Sequence, residues 1–115
     1  MTAKETAPGP VTLEDLVAQT KANLVLEHSE DDALLTEMVT AALAYATSFQ
    51  HLPEDHYQDH SMPGSTRQAV VMLASHFYES RDGSTGGFYA DNTNASAAVW
   101  VAVNRLLVLD REWKV

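Results

Sequence analysis

The chain has 115 residues and a mass of 12.6 kDa, the size of one small domain. Sixteen acidic against seven basic side chains give a formal net charge of −9, which argues against tight binding to nucleic-acid phosphates. There is no cysteine, so disulfides and thiol catalysis are excluded, and no apolar run is long enough to span a membrane.

The first ten residues include two prolines, one glycine and little apolar character, which predicts a disordered N-terminal arm without a secretory signal. A first helix is predicted over residues 13–26. Thr12 and Asp15 have the spacing of a capping box at its start. Its apolar stripe consists of Leu13, Leu16, Val17 and Leu24.

A second helix is predicted over residues 30–50. Ser29 and Asp32 repeat the capping-box spacing, and the acidic first turn suits the positive end of the helix dipole. Apolar residues then recur at intervals of three and four, which is typical of a helix with one face toward a core. This stripe consists of Leu35, Met38, Val39, Ala42, Leu43, Ala46 and Phe49.

A third helix is predicted over residues 66–82, where Ser65 and Gln68 offer another capping box after a Pro-Gly break. This helix is apolar on nearly every side. Its apolar residues are Ala69, Val70, Val71, Met72, Leu73, Ala74, Phe77 and Tyr78. Such a helix must be buried on more than one side, either at the centre of a bundle or against a neighbouring subunit.

A glycine-rich stretch then predicts a flexible loop to about residue 94, followed by a fourth helix over residues 95–107. The last residues could continue that helix or form an extended arm. The sequence therefore predicts an all-α fold, a compact bundle of about four helices with long inter-helix loops and flexible termini. Its parts are a disordered arm (1–10), a helical domain (11–108) and a C-terminal tail (109–115).

The segment from His51 to His60 holds three histidines and three acids in ten residues. Imidazole and carboxylate groups are zinc ligands, and in a helix His56 and His60 would share one face. The candidate metal ligands are His51, His56, Asp59 and His60. The alternative, which we favour, is a solvated polar loop bracketed by prolines, so we expect no resident metal or other cofactor.

A second enzymatic alternative is a metal-dependent all-α nucleotide hydrolase, in which acids from two helices hold magnesium. One helix could supply acids from the set Glu27, Glu30, Asp31, Asp32 and Glu37. The third predicted helix offers only Glu79 and Asp82, at its end. There is no Ser/His/Asp set and no phosphate-binding glycine loop after a strand, so we expect the protein not to be an enzyme.

The order of the segments resembles the phage head–tail connector (adaptor) family. The matching stretches, with Ala42, Tyr45 and Arg111, are VTLEDL at residues 11–16, DDALL at 31–35, HFYESR at 76–81 and VNRLL at 103–107. Each stretch alone is mostly helix-forming sequence, and their joint order and spacing carry the resemblance over residues 11–111.

The resemblance implies a structural component of the virion neck, assembled in the host cytoplasm. It implies a ring of copies, with the symmetry of a dodecameric portal, that extends the DNA channel of a phage or prophage. The implied partners are the portal protein, a downstream neck or tail-completion protein and further copies of this chain. DNA would pass without specific binding, because an acidic wall repels phosphate.

The predicted protein interface consists of Val70, Phe77, Tyr78, Arg81, Leu109, Arg111 and Trp113. Trp113 is a candidate anchor for a partner pocket, and the alternative is that it folds back onto its own bundle. A further alternative for the whole chain is a stand-alone helical module that binds a protein partner outside any virion.

Overall fold

The computed structural model describes residues 10–80 and 93–109 of the chain. These ranges contain helices and no strand, which confirms the predicted all-α bundle. The short α3 lies where the sequence predicts a loop. The helices are α1 (Leu13–Leu24), α2 (Asp32–Phe49), α3 (His56–Asp59), α4 (Gly64–Ser80) and α5 (Thr93–Val108).

The start of α1 is the predicted capping box. The Asp15 amide donates to the Thr12 hydroxyl oxygen at 3.0 Å, and the Thr12 amide donates to the Asp15 carboxylate at 3.4 Å. Both partners are local in sequence, so the pattern is sufficient to specify the contact.

The predicted capping boxes of the next two long helices are wrong. Asp31 is the N-cap residue of α2 and makes no capping hydrogen bond with its side chain. The Asp32 carboxylate instead accepts a hydrogen bond from Lys21 of α1 at 2.8 Å. α4 begins at Gly64, so Ser65 lies inside its first turn.

α1 and α2 each end at a residue in the left-handed conformation, Val25 with φ 59° and His51 with φ 63°. The following amides, of Leu26 and Leu52, donate to carbonyls five residues back, both at 2.9 Å. Glycine is the usual residue at this position. Because neither helix end carries one, the sequence predicts the first helix to end two residues too late.

Side-chain hydrogen bonds fix the directions of α1, α2 and α4. Arg67 donates to Gln19 at 2.6 Å and Asn23 donates to Ser75 at 2.8 Å, so α1 and α4 are parallel. Gln50, at the end of α2, donates to Thr66 near the start of α4 at 2.7 Å. α2 is therefore antiparallel to α4.

α5 runs parallel to α2. The Tyr45 hydroxyl donates to Asn104 at 2.6 Å, and the Gln50 amide donates to the Leu107 carbonyl at 3.1 Å. The bundle thus has two distinct ends. The α3 end holds α3, the starts of α1 and α4, and the ends of α2 and α5. The Asp31 end holds the start of α2, the ends of α1 and α4, and the start of α5.

α4 is the central helix and packs against α1, α2 and α5. Its residues Ala69, Val70, Val71, Leu73 and Ala74 are each at most 2% exposed. Full burial of a valine or leucine side chain contributes about 1.5–3 kcal/mol to folding. Of the two predicted ways to cover this apolar helix, the central position is the one observed. Val70, which the sequence analysis assigns to the protein interface, is covered by its own chain.

Candidate protein-interaction surfaces

A buried polar network joins four helices at the α3 end. The Gln50 amide nitrogen donates to the Thr66 hydroxyl and to the Leu107 carbonyl, and its oxygen accepts from the Tyr57 hydroxyl at 2.6 Å. Gln50 and Thr66 are completely buried. All hydrogen-bonding positions of the Gln50 side chain except one acceptor lone pair are thereby used, so this network fixes how the helix ends meet.

Tyr57 explains why the polar segment after α2 is ordered. Its ring is 7% exposed, so it is anchored in the bundle rather than solvated. The sequence analysis favoured a solvated polar loop for this segment, and the buried Tyr57 shows that this is wrong for α3. The Tyr57–Gln50 pairing depends on tertiary structure, so periodicity could not reveal it.

The histidines of this segment lie on the surface around α3. The His56 and His60 rings stack with centroids 4.2 Å apart and planes 4° from parallel. His60 Nδ1 lies 3.0 Å from the His56 carbonyl oxygen. His51 and Asp59 are exposed. No group of three or more metal-ligating side chains occurs among the described residues.

Two of the acids proposed for a hydrolase, Asp31 and Asp32, have other partners at the Asp31 end. Asp31 accepts a short hydrogen bond from the Tyr78 hydroxyl of α4. Asp32 forms an ion pair with Lys21 of α1, whose side chain is 21% exposed. The structure thus uses these two carboxylates to hold α1, α2 and α4 together, and Asp82 lies outside the described residues.

An aromatic cluster lies between α2, α4 and α5. Trp100 of α5 makes an edge contact with Tyr45 at 5.2 Å between ring centroids and further contacts with His76 and Phe77. Burial lowers the pKa of His76. The cluster attaches α5 to the bundle, and the neutral imidazole suits that environment.

The predicted interface residues fall into three groups. Val70 and Tyr78 are buried within the chain, at 1% and 8% exposure, and Tyr78 holds Asp31. Both side chains are therefore covered by their own chain, and their assignment to a protein interface stays a prediction. Phe77 is partly buried in the aromatic cluster, and Leu109 is 69% exposed. Arg81, Arg111 and Trp113 lie outside the described residues.

The outward face of α5 forms an exposed strip, of which the sequence analysis named only Leu109. Val101 is 48% exposed and Leu109 is 69% exposed, with the exposed Arg105 between them. An interval of four residues places Val101 and Arg105 on one side of α5, and Leu109 follows directly after the last residue of the helix. We call this surface the α5 strip; its members are Ala97, Ala98, Val101, Arg105 and Leu109.

A groove of about 560 Å³ lies between α1, α2 and the α3 segment. Its walls are largely apolar, and Leu13 is 38% exposed within it. Glu54 and Asp55, both exposed, add negative charge to its lining. We call this surface the α1–α3 groove; its apolar walls include Val11, Leu13, Leu43, Tyr57 and Met62.

The described residues thus form an all-α bundle that exposes an apolar helix face and an apolar groove. In the comparison with protein families, the model of the phage gp6-like head-tail connector protein matches residues 14–106. The chain belongs to this family, and with it to the structural connector proteins of phage virions. Searches of curated proteins and of solved structures each gave no match.

The family match confirms the predicted resemblance over nearly the same range. It agrees with a structural rather than a catalytic role. No helix among the described residues is both long and apolar enough to cross a membrane.

Proposed function

We propose that this protein is the subunit of a ring, matched in symmetry to a dodecameric portal, that sits below the portal at the virion neck. The ring extends the DNA channel and offers its far side to a downstream neck or tail-completion protein. The observation that carries this proposal is the family match over residues 14–106. Assembly takes place in the host cytoplasm, and the genes belong to a phage or prophage.

The charge distribution supports a channel through which DNA slides. Residues 1–60 contain eleven acids and two lysines, whereas residues 61–115 contain five acids and five bases. Most of the first group point to solvent in the bundle: Glu14, Asp15, Glu27, Glu30, Glu37, Glu54, Asp55 and Asp59 are all exposed. An acidic wall repels the phosphate backbone, so it would not retain passing DNA.

Electron microscopy tests the proposal. The purified full chain is mixed with the portal protein of the same phage, and with the portal of an unrelated phage as the control. We expect an added ring of density on one side of the cognate portal only. If the cognate portal stays undecorated at every concentration and salt condition, the stand-alone module becomes the better explanation.

The same assay tests whether the histidine segment contributes a metal. His56→Ala combined with His60→Ala removes both stacked rings. The His56 ring also makes an edge contact with Tyr57 at 4.8 Å between centroids, so circular dichroism checks that the double variant is folded. We expect portal decoration equal to that of the unmodified chain, with or without a chelator. A metal-dependent assembly would instead be established by two results together. The double variant would lose decoration, and the chelator-treated unmodified chain would regain decoration on addition of zinc.

A further inference from the structure

The α5 strip and the α1–α3 groove are two different surfaces of the bundle. α1 packs on α2 and α4, whereas α5 packs on α4 and less extensively on α2. α1 and α5 share no extensive contact, so they flank the central helix from different sides. A contact between two different surfaces of identical chains is heterologous, and repetition of such a contact produces rings or filaments.

The two surfaces are complementary in shape and charge. The strip is a helix face with two apolar anchors, Val101 and Leu109, eight residues apart. The groove is concave and largely apolar, which is the kind of surface that accepts a helix face. The strip carries the positive Arg105, and the groove carries the negative Glu54 and Asp55.

These three charges are available for a contact between copies. Arg105 forms no hydrogen bond or ion pair with any other described residue through its side chain, and the same is true of Glu54 and Asp55. The other two described cations, Lys21 and Arg67, are already held by Asp32 and Gln19. Of the described basic residues, Arg105 is therefore the one whose side chain is available to bind another molecule.

We propose that the α5 strip of one copy docks into the α1–α3 groove of the next copy, with Arg105 facing Glu54 and Asp55. This inference rests on the proposed ring and names the two surfaces that form it. Val101 and Leu109 enter the groove against Leu13 and its neighbours. Ala97 and Ala98 let the helix backbone approach closely.

Cysteine crosslinking locates the contact, since the chain has no cysteine of its own. Val101→Cys and Leu13→Cys chains carrying tags of different mass are mixed and treated with a short bismaleimide. Val25→Cys replaces Leu13→Cys as the control, because Val25 is 79% exposed and lies at the Asp31 end. We expect the strip–groove product to exceed the control product at least about tenfold. A chain carrying both Val101→Cys and Leu13→Cys gives a ladder of covalent oligomers.

Charge inversion tests the pairing. We expect Arg105→Glu alone, or Glu54→Arg with Asp55→Arg, to weaken self-association at least about tenfold, because like charges then face each other. A mixture of these two variants regains association, since every contact again joins opposite charges. Glu27→Arg with Glu30→Arg is the matched control, which we expect to associate like the unmodified chain. Circular dichroism checks that each variant is folded.

Several results would overturn the inference. One is strip–groove crosslinking no stronger than the Val25→Cys control, and another is a mixture of inverted variants that stays dissociated. Crosslinking of Leu13→Cys to Trp113→Cys within one chain would assign the groove to the C-terminal segment instead. If inverted variants still form normal rings on the portal, this contact is wrong and the proposed function stands. An unmodified chain that never decorates the portal contradicts the proposed function itself.

Discussion

The two ends of the bundle are held by polar contacts of similar length but different surroundings. At the α3 end, neutral groups centred on the fully buried Gln50 bond one another. At the Asp31 end, charged groups bond in contact with water, and the Asp32 side chain is 48% exposed. Water can replace a lost partner at the second end but not at the first. Hydrogen bonds that look alike should therefore differ several-fold in their contribution to stability.

The largest effect is expected from Gln50→Ala. This change removes three hydrogen bonds and opens a cavity where four helices meet, so the free energy of unfolding should fall by about 3 kcal/mol or more. Urea denaturation measures it. Gln58→Ala is the control, because Gln58 is exposed and should change stability by less than about 0.5 kcal/mol. A loss below about 1 kcal/mol for Gln50→Ala would contradict the idea that buried hydrogen bonds at the α3 end contribute more to stability than those at the Asp31 end.

Removal of one tyrosine hydroxyl at each end compares the two directly. Tyr57→Phe leaves the buried Gln50 oxygen without its donor and should cost about 2 kcal/mol. Tyr78→Phe removes the donor to the Asp31 carboxylate, which water can reach. The free energy of unfolding should therefore fall by about 1 kcal/mol or less. The same denaturation measurement serves both variants. Equal losses would show that burial does not distinguish the two ends.

The free energy of unfolding should depend on pH through the protonation of His76. Burial lowers its pKa in the folded state below the unfolded value of about 6.5, so protonation favours unfolding. The contribution to stability is complete above that pH and is lost as the pH falls toward 5. We expect His76→Gln to flatten the fall in unfolding free energy between pH 7 and pH 5. His28→Gln, at an exposed position, should follow the unmodified chain, and an unchanged slope in His76→Gln would speak against this assignment.

The smallest expected effect is an increase in the free energy of unfolding, from a substitution at the end of α1. Val25 is a β-branched residue in the left-handed conformation at the end of α1, and it is 79% exposed. Val25→Gly should relieve that strain and raise the free energy of unfolding by about 0.5–1 kcal/mol. The melting temperature measures the change. His51→Gly tests the equivalent position at the α3 end, and destabilisation by either variant would show that the valine or histidine side chain contributes contacts of its own.

Local patterns in the sequence predicted the long helices, the all-α fold and the Thr12–Asp15 cap, because each depends on residues within one or two turns. The same patterns failed for Ser29, since the Asp32 carboxylate is used by Lys21 of another helix. The order of α3 and the Gln50 network depend on contacts between residues 7 to 57 positions apart. No period of three or four can encode such contacts.

The candidate surfaces show the same limit. The sequence showed that α4 is apolar on nearly every side. It did not show whether other helices of the same chain or a neighbouring subunit bury those sides. Of the α5 strip, the sequence analysis named only Leu109, because an apolar residue in a helical pattern does not show whether another helix covers it. Only the packing of α4 shows which side of α5 remains uncovered.

The first and last described residues both lie at the α3 end. In a closed circle of identically oriented copies, the segments before residue 10 and after residue 109 would all emerge on the same rim. Weak contacts repeated on one rim act together on a partner of matching symmetry, so their avidity exceeds the affinity of each contact. Such a circle would turn residues 10 and 109 of every copy toward one neighbouring virion protein, and the end of α4 with the start of α5 toward the other.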